Sequence, residues 1–303
     1  MASLLLPRKI LIFLSFFIQK ILPMKKFLPL IIGLSVATLL EFILRWWGFW
    51  VIFPWIGFSI TVGMIIRASQ KGKKQIIGRK VSILMILPCL LLFVPIVNRE
   101  NFQLEGIVLI VLIGFFGKGF IHYLIAKILG PLIWGRGFCG WACWTAAVLD
   151  WLPIKSSPQK VSPKLKHLRF LTLAISILIP VYLVFALNYD VIHNYINKRE
   201  MYWMFVGNGI YYLLAVPLAF IFSDKRFFCK HLCPVSLVMI PSSSVSLIKI
   251  KPTGNQCIEC GACNKICPMG IDVMSYIKEG KKINHPECIL CTDCRSVCPT
   301  KAI

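Results

Sequence analysis

Apolar residues run through the first three quarters of the chain in blocks too long for a water-soluble core. A helix that crosses a bilayer needs about 20 mostly apolar residues. Six stretches meet that need: 27–44, 46–66, 81–97, 104–127, 168–188 and 202–222. The third is short and carries Pro88 and Pro95, which a span tolerates where neighbouring helices and water satisfy the freed carbonyls. The fourth is interrupted by Lys118 and His122, four residues apart and so on one helix face. The leading segment, 1–26, has an apolar core of only Ile10–Ile18 between Arg8, Lys9 and Lys20, and no small-residue cleavage site follows it. It reads as a helix lying in the membrane interface. From about residue 250 the apolar blocks stop and cysteine-rich loops take over.

Charge gives the spans a direction. The chain carries 34 Lys+Arg against 12 Asp+Glu, a net +22. Sorted by segment, 28 of the basic residues fall in 1–26, 67–80, 130–169 and 224–303, and only Arg45, Arg99, Lys198 and Arg199 fall in the alternate loops. Basic loops stay cytoplasmic. Both ends of the chain and the cysteine-rich tail are therefore expected inside, with six crossings between, in the inner membrane of a prokaryote. The excess positive charge is largely a topology signal, and no nucleic-acid motif accompanies it. With 57% hydrophobic and 15% charged residues at a mean hydropathy of +0.76, a disordered chain and an ordinary soluble enzyme are both excluded.

Twelve of the 13 cysteines lie in regular motifs. The tail reads Cys257-x2-Cys260-x2-Cys263-x3-Cys267-Pro268 and, 31 residues on, Cys288-x2-Cys291-x2-Cys294-x3-Cys298-Pro299. Each is the run that holds a 4Fe–4S cluster, with the fourth thiolate supplied by the other half of the repeat. Cys257, Cys260, Cys263 and Cys298 are expected to ligate one cluster, and Cys288, Cys291, Cys294 and Cys267 the other. Zinc ribbons use pairs of Cys-x2-Cys without the trailing Cys-Pro. Disulfides are disfavoured in a reducing compartment. The tail has too few residues for much of a core, so the clusters would serve as its cross-links.

A second repeat lies nearer the membrane. Cys139-x3-Cys143 follows the fourth expected span and Cys229-x3-Cys233-Pro234 the sixth, at an offset of 90 residues. Each ends a helical hairpin, so 81–144 and 168–234 look like two copies of one unit whose motifs meet under the bundle. Four thiolates there can hold a metal or a further iron–sulfur centre, or form redox-active thiol pairs. Cys89 lies within a span and reads as packing. His231, inside the second motif, suits a ligand or a proton donor, or else a solvated interface histidine. Lys118 and His122 suit a quinone contact or proton relay, or else snorkelling towards the headgroups. The Trp and Tyr residues near span ends, such as Trp47, Trp50 and Trp203, fit an aromatic belt.

These motifs resemble the NapH-type membrane polyferredoxins, and the membrane-plus-ferredoxin module of NosR-type and CcoG-type proteins, over roughly residues 81–303. The stretch Gly135–Cys143 is the most similar piece outside the tail. The resemblance implies electron passage between the quinone pool and other redox proteins. The chain departs from it in carrying Trp144 where the family has Pro, and in the extra spans of 27–66.

The expected fold is mainly α, a membrane bundle of about six spans with a small C-terminal α+β two-cluster ferredoxin domain. Its parts are an interfacial segment 1–26, an extra helical hairpin 27–66, a membrane core 81–250 with the two hairpin repeats, and the ferredoxin domain 251–303. The expected function is a membrane-anchored electron carrier, with no catalytic residues of its own, that relays electrons between the quinone pool or a cytosolic donor and a redox partner at the cytoplasmic face. Two alternatives stand beside it. One is a copper reductase or cofactor-maturation protein that uses the Cys-x3-Cys pairs; the other is a structural anchor that recruits a redox complex.

Overall fold

A long apolar run in lipid can satisfy its backbone groups internally only as a helix. The structure, a computed structural model, is helical throughout its apolar part. It describes residues 26–99, 101–114, 118–154, 162, 164–196 and 198–303, together with the helical backbone of residues 8–25. Apart from Lys26, the side chains of the expected interfacial segment 1–26 lie outside the described residues.

Helix α1 (Arg8–Leu44) packs on α2 (Phe49–Ser69), and α2 on α3 (Ile76–Pro88). Gly63 and Gly78 face each other where α2 and α3 cross; a Cβ on Gly63 would stand 2.6 Å from the Gly78 carbonyl oxygen. Close approach at small residues is how helices associate where lipid removes the hydrophobic drive. Pro88 widens the third helix into a π-helical stretch, Cys89–Phe93, before it resumes as α4 (Val94–Asn98).

The expected fourth span, 104–127, is not one helix. It is α5 (Leu104–Leu112), then α6 (Lys118–Tyr123), a π-helical stretch Leu124–Leu129 and α7 (Gly130–Trp134). Helix α5 ends at Gly114, whose φ of +68° turns the chain. Residues 101–103, just before α5, are buried, and Phe102 joins the core with Phe49, Phe138, Trp144 and Met204. Among the described residues, five helical segments are long and apolar enough to cross a membrane: Lys26–Leu44, Phe49–Ser69, Gly72–Val97, Leu168–Phe185 and Arg199–Ile221. Large apolar side chains on them, among them Phe42, Leu178, Leu213 and Ile221, are exposed, as a lipid-facing surface requires.

Each motif of the membrane-proximal repeat folds as a short helix and a second helix. The first is α8 (Gly137–Trp141) and α9 (Trp144–Trp151). After α10 (Leu168–Phe185), α11 (Val191–Ile196) and α12 (Arg199–Ile221) comes the second, α13 (Phe227–His231) and α14 (Pro234–Ser244). The tail adds α15 (Ala262–Ile266), α16 (Val273–Lys278) and α17 (Asp293–Val297). Among the described residues there is no strand, so the expected α+β tail is helices and loops. Its extended pieces meet through single backbone bonds, Ile283 N–H to Ile250 O (2.9 Å) and Thr253 N–H to Ala302 O (3.0 Å), too few for a ladder.

Buried ion pairs join the tail to the helices. Arg79 on α3 donates to Asp150 of α9 (2.6 Å) and to Asp293 of the tail (3.1 Å), and Arg226 also meets Asp150 (2.8 Å). Arg136 and Arg169 (2.6 Å) close on Glu287 of the tail. Burial pushes the Asp150 carboxyl up, but Arg226 and Arg79 outweigh it and hold it at about 2. Glu287 is likewise pushed up by burial and pulled below its ordinary value by Arg136 and Arg169. Removing one partner of a buried pair strands the other charge and costs about 3–5 kcal/mol. Glu287→Gln is therefore expected to loosen the tail by that order, read as a lower Tm and earlier proteolytic release of residues 251–303. Wild-type stability and protease resistance in the variant would remove this account of the docking.

Candidate metal centres

The tail folds around two cavities, each walled by four cysteines. One is lined by Cys257, Cys260, Cys263 and Cys298, with Pro299, Ile277 and Ile303 among its other walls. The second is lined by Cys267, Cys288, Cys291 and Cys294, with Ile250, Ile283 and Ile289. Each cavity takes three cysteines from one half of the repeat and the fourth from the other. The loops match in backbone as well as spacing: Glu259 and Leu290 have φ of 54° and 49°, and Gly261 and Thr292 have 67° and 58°. A further left-handed residue, Lys301 (φ 53°), precedes the Ala302 N–H that bonds to Cys298 Sγ (3.3 Å). Soft thiol donors around an apolar cavity suit an iron–sulfur cluster. Among the described residues no three His, Cys, Asp or Glu side chains converge on a point that would hold a single ion.

The membrane-proximal cysteines also come together. The two motifs touch where Arg226, three residues before Cys229, donates to the Cys139 carbonyl (3.1 Å), and Cys229 is buried while Cys139, Cys143 and Cys233 are half-buried. The two motifs have the same backbone: Ala142 and Cys143 both donate to Phe138 O (2.9 and 3.0 Å), and Leu232 and Cys233 both donate to Phe228 O (2.9 and 2.9 Å). Cys143 and Cys233 are the N-caps of α9 and α14, and their sulfurs take the Ala146 and Ser236 N–H groups. Burial pushes the Cys143 thiol up to about 11 and that of Cys294 up to about 12, and raises Cys229, Cys233 and Cys291 as well. Free, these groups are protonated thiols; a metal must displace the protons to bind.

The second tail loop is seated directly against this site. A Cβ on Gly140 would fall onto the Ile289 carbonyl oxygen, Trp141 Nε1 donates to Leu290 O (3.0 Å), and Cys139 packs against the tail core. The first loop faces away. Ile289 is 2% exposed, whereas its repeat equivalent Ile258 is 58% exposed and Cys260 beside it is open to solvent.

Sequence reasoning missed the residues that seat the loop, although two signals were present. The second half of the tail repeat has Glu287 and Asp293 where the first has Gln256 and Ala262. The membrane-proximal repeat has Arg136 and Arg226 each three residues before its first cysteine. Of the other residues singled out, His122 is buried between the rings of Phe53 and Phe102 (6.1 and 6.0 Å), and neither ring nitrogen has a hydrogen-bond partner among the described residues. The Lys118 side chain lies outside the described residues. His231 is buried beside Phe227, its ring centroid 4.6 Å away. Cys89 is buried in the helical core.

Comparison with known proteins agrees with this division. Residues 256–303 match a family model described as a 4Fe-4S dicluster domain, and residues 124–155 and 209–247 match one described as a 4Fe-4S binding domain. An uncharacterized protein of Methanocaldococcus jannaschii is 27% identical over 243 residues, 74% of this chain and 89% of that protein. YccM of Escherichia coli (strain K12), named for electron transport, is 26% identical over 172 residues, 51% of this chain and 47% of its own length. The methylamine utilization ferredoxin-type protein MauN of Paracoccus denitrificans is 29% identical over 153 residues, 48% of this chain and 52% of that one. No solved structure matches the chain. The chain thus carries ferredoxin-type 4Fe–4S domains on a set of apolar helices compatible with a membrane.

Because Gly140 leaves no room for a side chain, Gly140→Val should push the second tail loop off the helices. Overpacking of this kind costs about 1–3 kcal/mol. The tail should then be released earlier by protease, while the first cavity, remote from Gly140, keeps its iron. Unchanged release would show that the loop is not held there.

Proposed function

We propose that the chain is a membrane-anchored iron–sulfur electron-transfer protein in which Cys257, Cys260, Cys263 and Cys298 hold one 4Fe–4S cluster and Cys288, Cys291, Cys294 and Cys267 hold a second. The observation that carries this reading is the pair of cavities, each walled by four cysteines drawn crosswise from the two halves of the tail. Clusters bound there supply one-electron carriers. The protein's own residues bind them, exclude water and set the order in which charge can move. Gly140, Trp141 and the buried ion pairs keep the second cavity against the helices. Ile258 and Cys260 leave the first cavity open to a partner.

The lipid bilayer is the anchoring environment in this reading, crossed by the five long helical segments and a sixth time by the broken run α5–α7, with both termini on the cytoplasmic side of a prokaryotic inner membrane. The 28-to-4 division of basic residues and the exposed apolar helix surfaces support it. Electrons pass between a membrane donor, quinol, or a cytosolic donor on one side and a soluble redox protein on the other. The NapH-type resemblance is the basis for the quinone pool. The partner's chemistry follows from charge. All seven basic residues of 251–303 are exposed, while two of its five acidic residues, Glu287 and Asp293, are buried in ion pairs. A partner with an acidic rim around its own redox centre would be steered to this face.

Two measurements test the reading. Cys298→Ala should remove about four iron atoms per chain and leave the signal of the second cavity, because Cys298 reaches across to the first. Loss of the second signal instead would break the crosswise assignment. Ile258→Glu should leave iron content unchanged but slow electron exchange with an acidic soluble ferredoxin or flavodoxin about tenfold, as expected for the loss of one well-packed contact of about 1.4 kcal/mol. An unaltered second-order rate would place the docking surface elsewhere.

A further inference from the structure

We infer that Lys127 is the counter-cation of an anionic iron–sulfur cluster held by Cys139, Cys143, Cys229 and Cys233. The inference rests on the electron-transfer reading above and extends it to a third centre.

One cation beside the four thiols has no carboxylate against it. Three cations line the site. Arg136 meets Glu287, which it shares with Arg169, and Arg226 meets Asp150, which it shares with Arg79. Lys127, 4% exposed, has no carboxylate within 4 Å among the described residues. Its ammonium stands over the rings of Tyr123 (4.5 Å), Trp144 (4.7 Å) and Phe138 (5.4 Å). Ring faces attract a cation but supply no net charge. Phe138 and Trp144 adjoin Cys139 and Cys143 in the chain, which sets the ammonium beside the thiols, and Glu105 is the carboxylate whose charge reaches it. The Glu105 Oε1 accepts from Ser176 (2.6 Å) and Tyr211 (3.1 Å), its Oε2 has no hydrogen-bond partner among the described residues, and the carboxylate makes no ion pair with the ammonium. A buried ammonium without an opposite charge is costly. Four neutral thiols provide none, whereas four thiolates on a cluster carry net negative charge in every redox state.

Three observations favour a cluster over a single ion. No three ligands among the described residues converge at single-ion distance. The two segments that carry these cysteines match a 4Fe-4S binding domain. The site also adjoins the second tail cavity through Cys139, Gly140 and Ile289, where only a redox centre would extend the electron path towards the helices. A cluster that accepts one electron gains one negative charge, and a fixed ammonium beside it stabilises that reduced state. Lys127 is thus a positioning residue for charge, and its effect belongs to the potential of one centre.

The test uses the full chain, purified anaerobically in lipid nanodiscs, with iron counting and an EPR-monitored redox titration. Wild type should hold about twelve irons. The double variant Cys143→Ser/Cys233→Ser should hold about eight, with both tail signals intact. Lys127→Met should move one midpoint of three to lower potential, and Lys127→Arg should restore it. Glu105→Gln, which removes the neighbouring negative charge without emptying the aromatic cage, should move the same midpoint upward. If wild type holds about eight irons, or if copper or zinc is lost in the double cysteine variant, the third cluster is overturned while the tail reading stands. If no iron is bound at all, the electron-transfer reading itself fails. If Lys127→Met and Glu105→Gln leave every midpoint in place, the role of Lys127 is overturned.

Discussion

Charge removed from water has to be met by opposite charge, and in this protein that requirement decides how the tail sits. Glu287 and Asp293 bracket the second cysteine loop, and both are buried against arginines that the helices supply: Arg136 and Arg169 for one, Arg79 and Arg67 for the other. Neither set is stable alone, because each would leave buried charge unpaired. The tail is therefore a docked part of the molecule and not a domain on a tether. Its second cavity is held where Cys139 and Gly140 meet Ile289, and the adjacency of the cysteine sites depends on that seating.

Both internal repeats keep their backbones and break their symmetry with side chains. In the tail, loops with matching left-handed turns put Ile289 into the helices and Ile258 into solvent. One half has become an internal interface and the other remains free to be an external one. In the membrane-proximal repeat, Arg136 and Arg226 occupy equivalent positions, yet the first reaches forward to the tail and the second to Asp150 on α9. Duplication supplies two similar cradles of thiols, and the divergent charges assign each copy its neighbours.

The cysteine sites consequently lie in a fixed order: four thiols under the helices, then the second tail cavity, then the first cavity with its open face. Tunnelling falls steeply with distance, so a rigid sequence of adjoining sites serves electron transfer better than a mobile tail would. The burial that raises the thiols also excludes water, which favours metal-bound thiolates once the protons have been displaced. The basic outer face of the tail and its buried carboxylates then leave positive charge towards the side from which a soluble partner would approach.

Local pattern determined a good deal of this. Uninterrupted apolar runs dictate helices because lipid offers the backbone no other partner, and Cys-x2-Cys-x2-Cys-x3-Cys-Pro dictates thiol-lined loops because the spacing is a property of a short segment. The crosswise sharing of Cys267 and Cys298 was expected from the two-cluster ferredoxin pattern, and the structure lines each tail cavity with cysteines of both halves. The division of 104–127 into two helices was not, since it depends on residues 101–103 and Phe102 packing into a core made by other helices. Nor was the aromatic cage around Lys127, or the reach of Arg79 to a residue 214 positions away. Hydropathy and spacing are read along the chain, whereas the pairing of buried charges is settled only when distant segments share one dry space, and there tertiary structure alone decided which cation meets which anion.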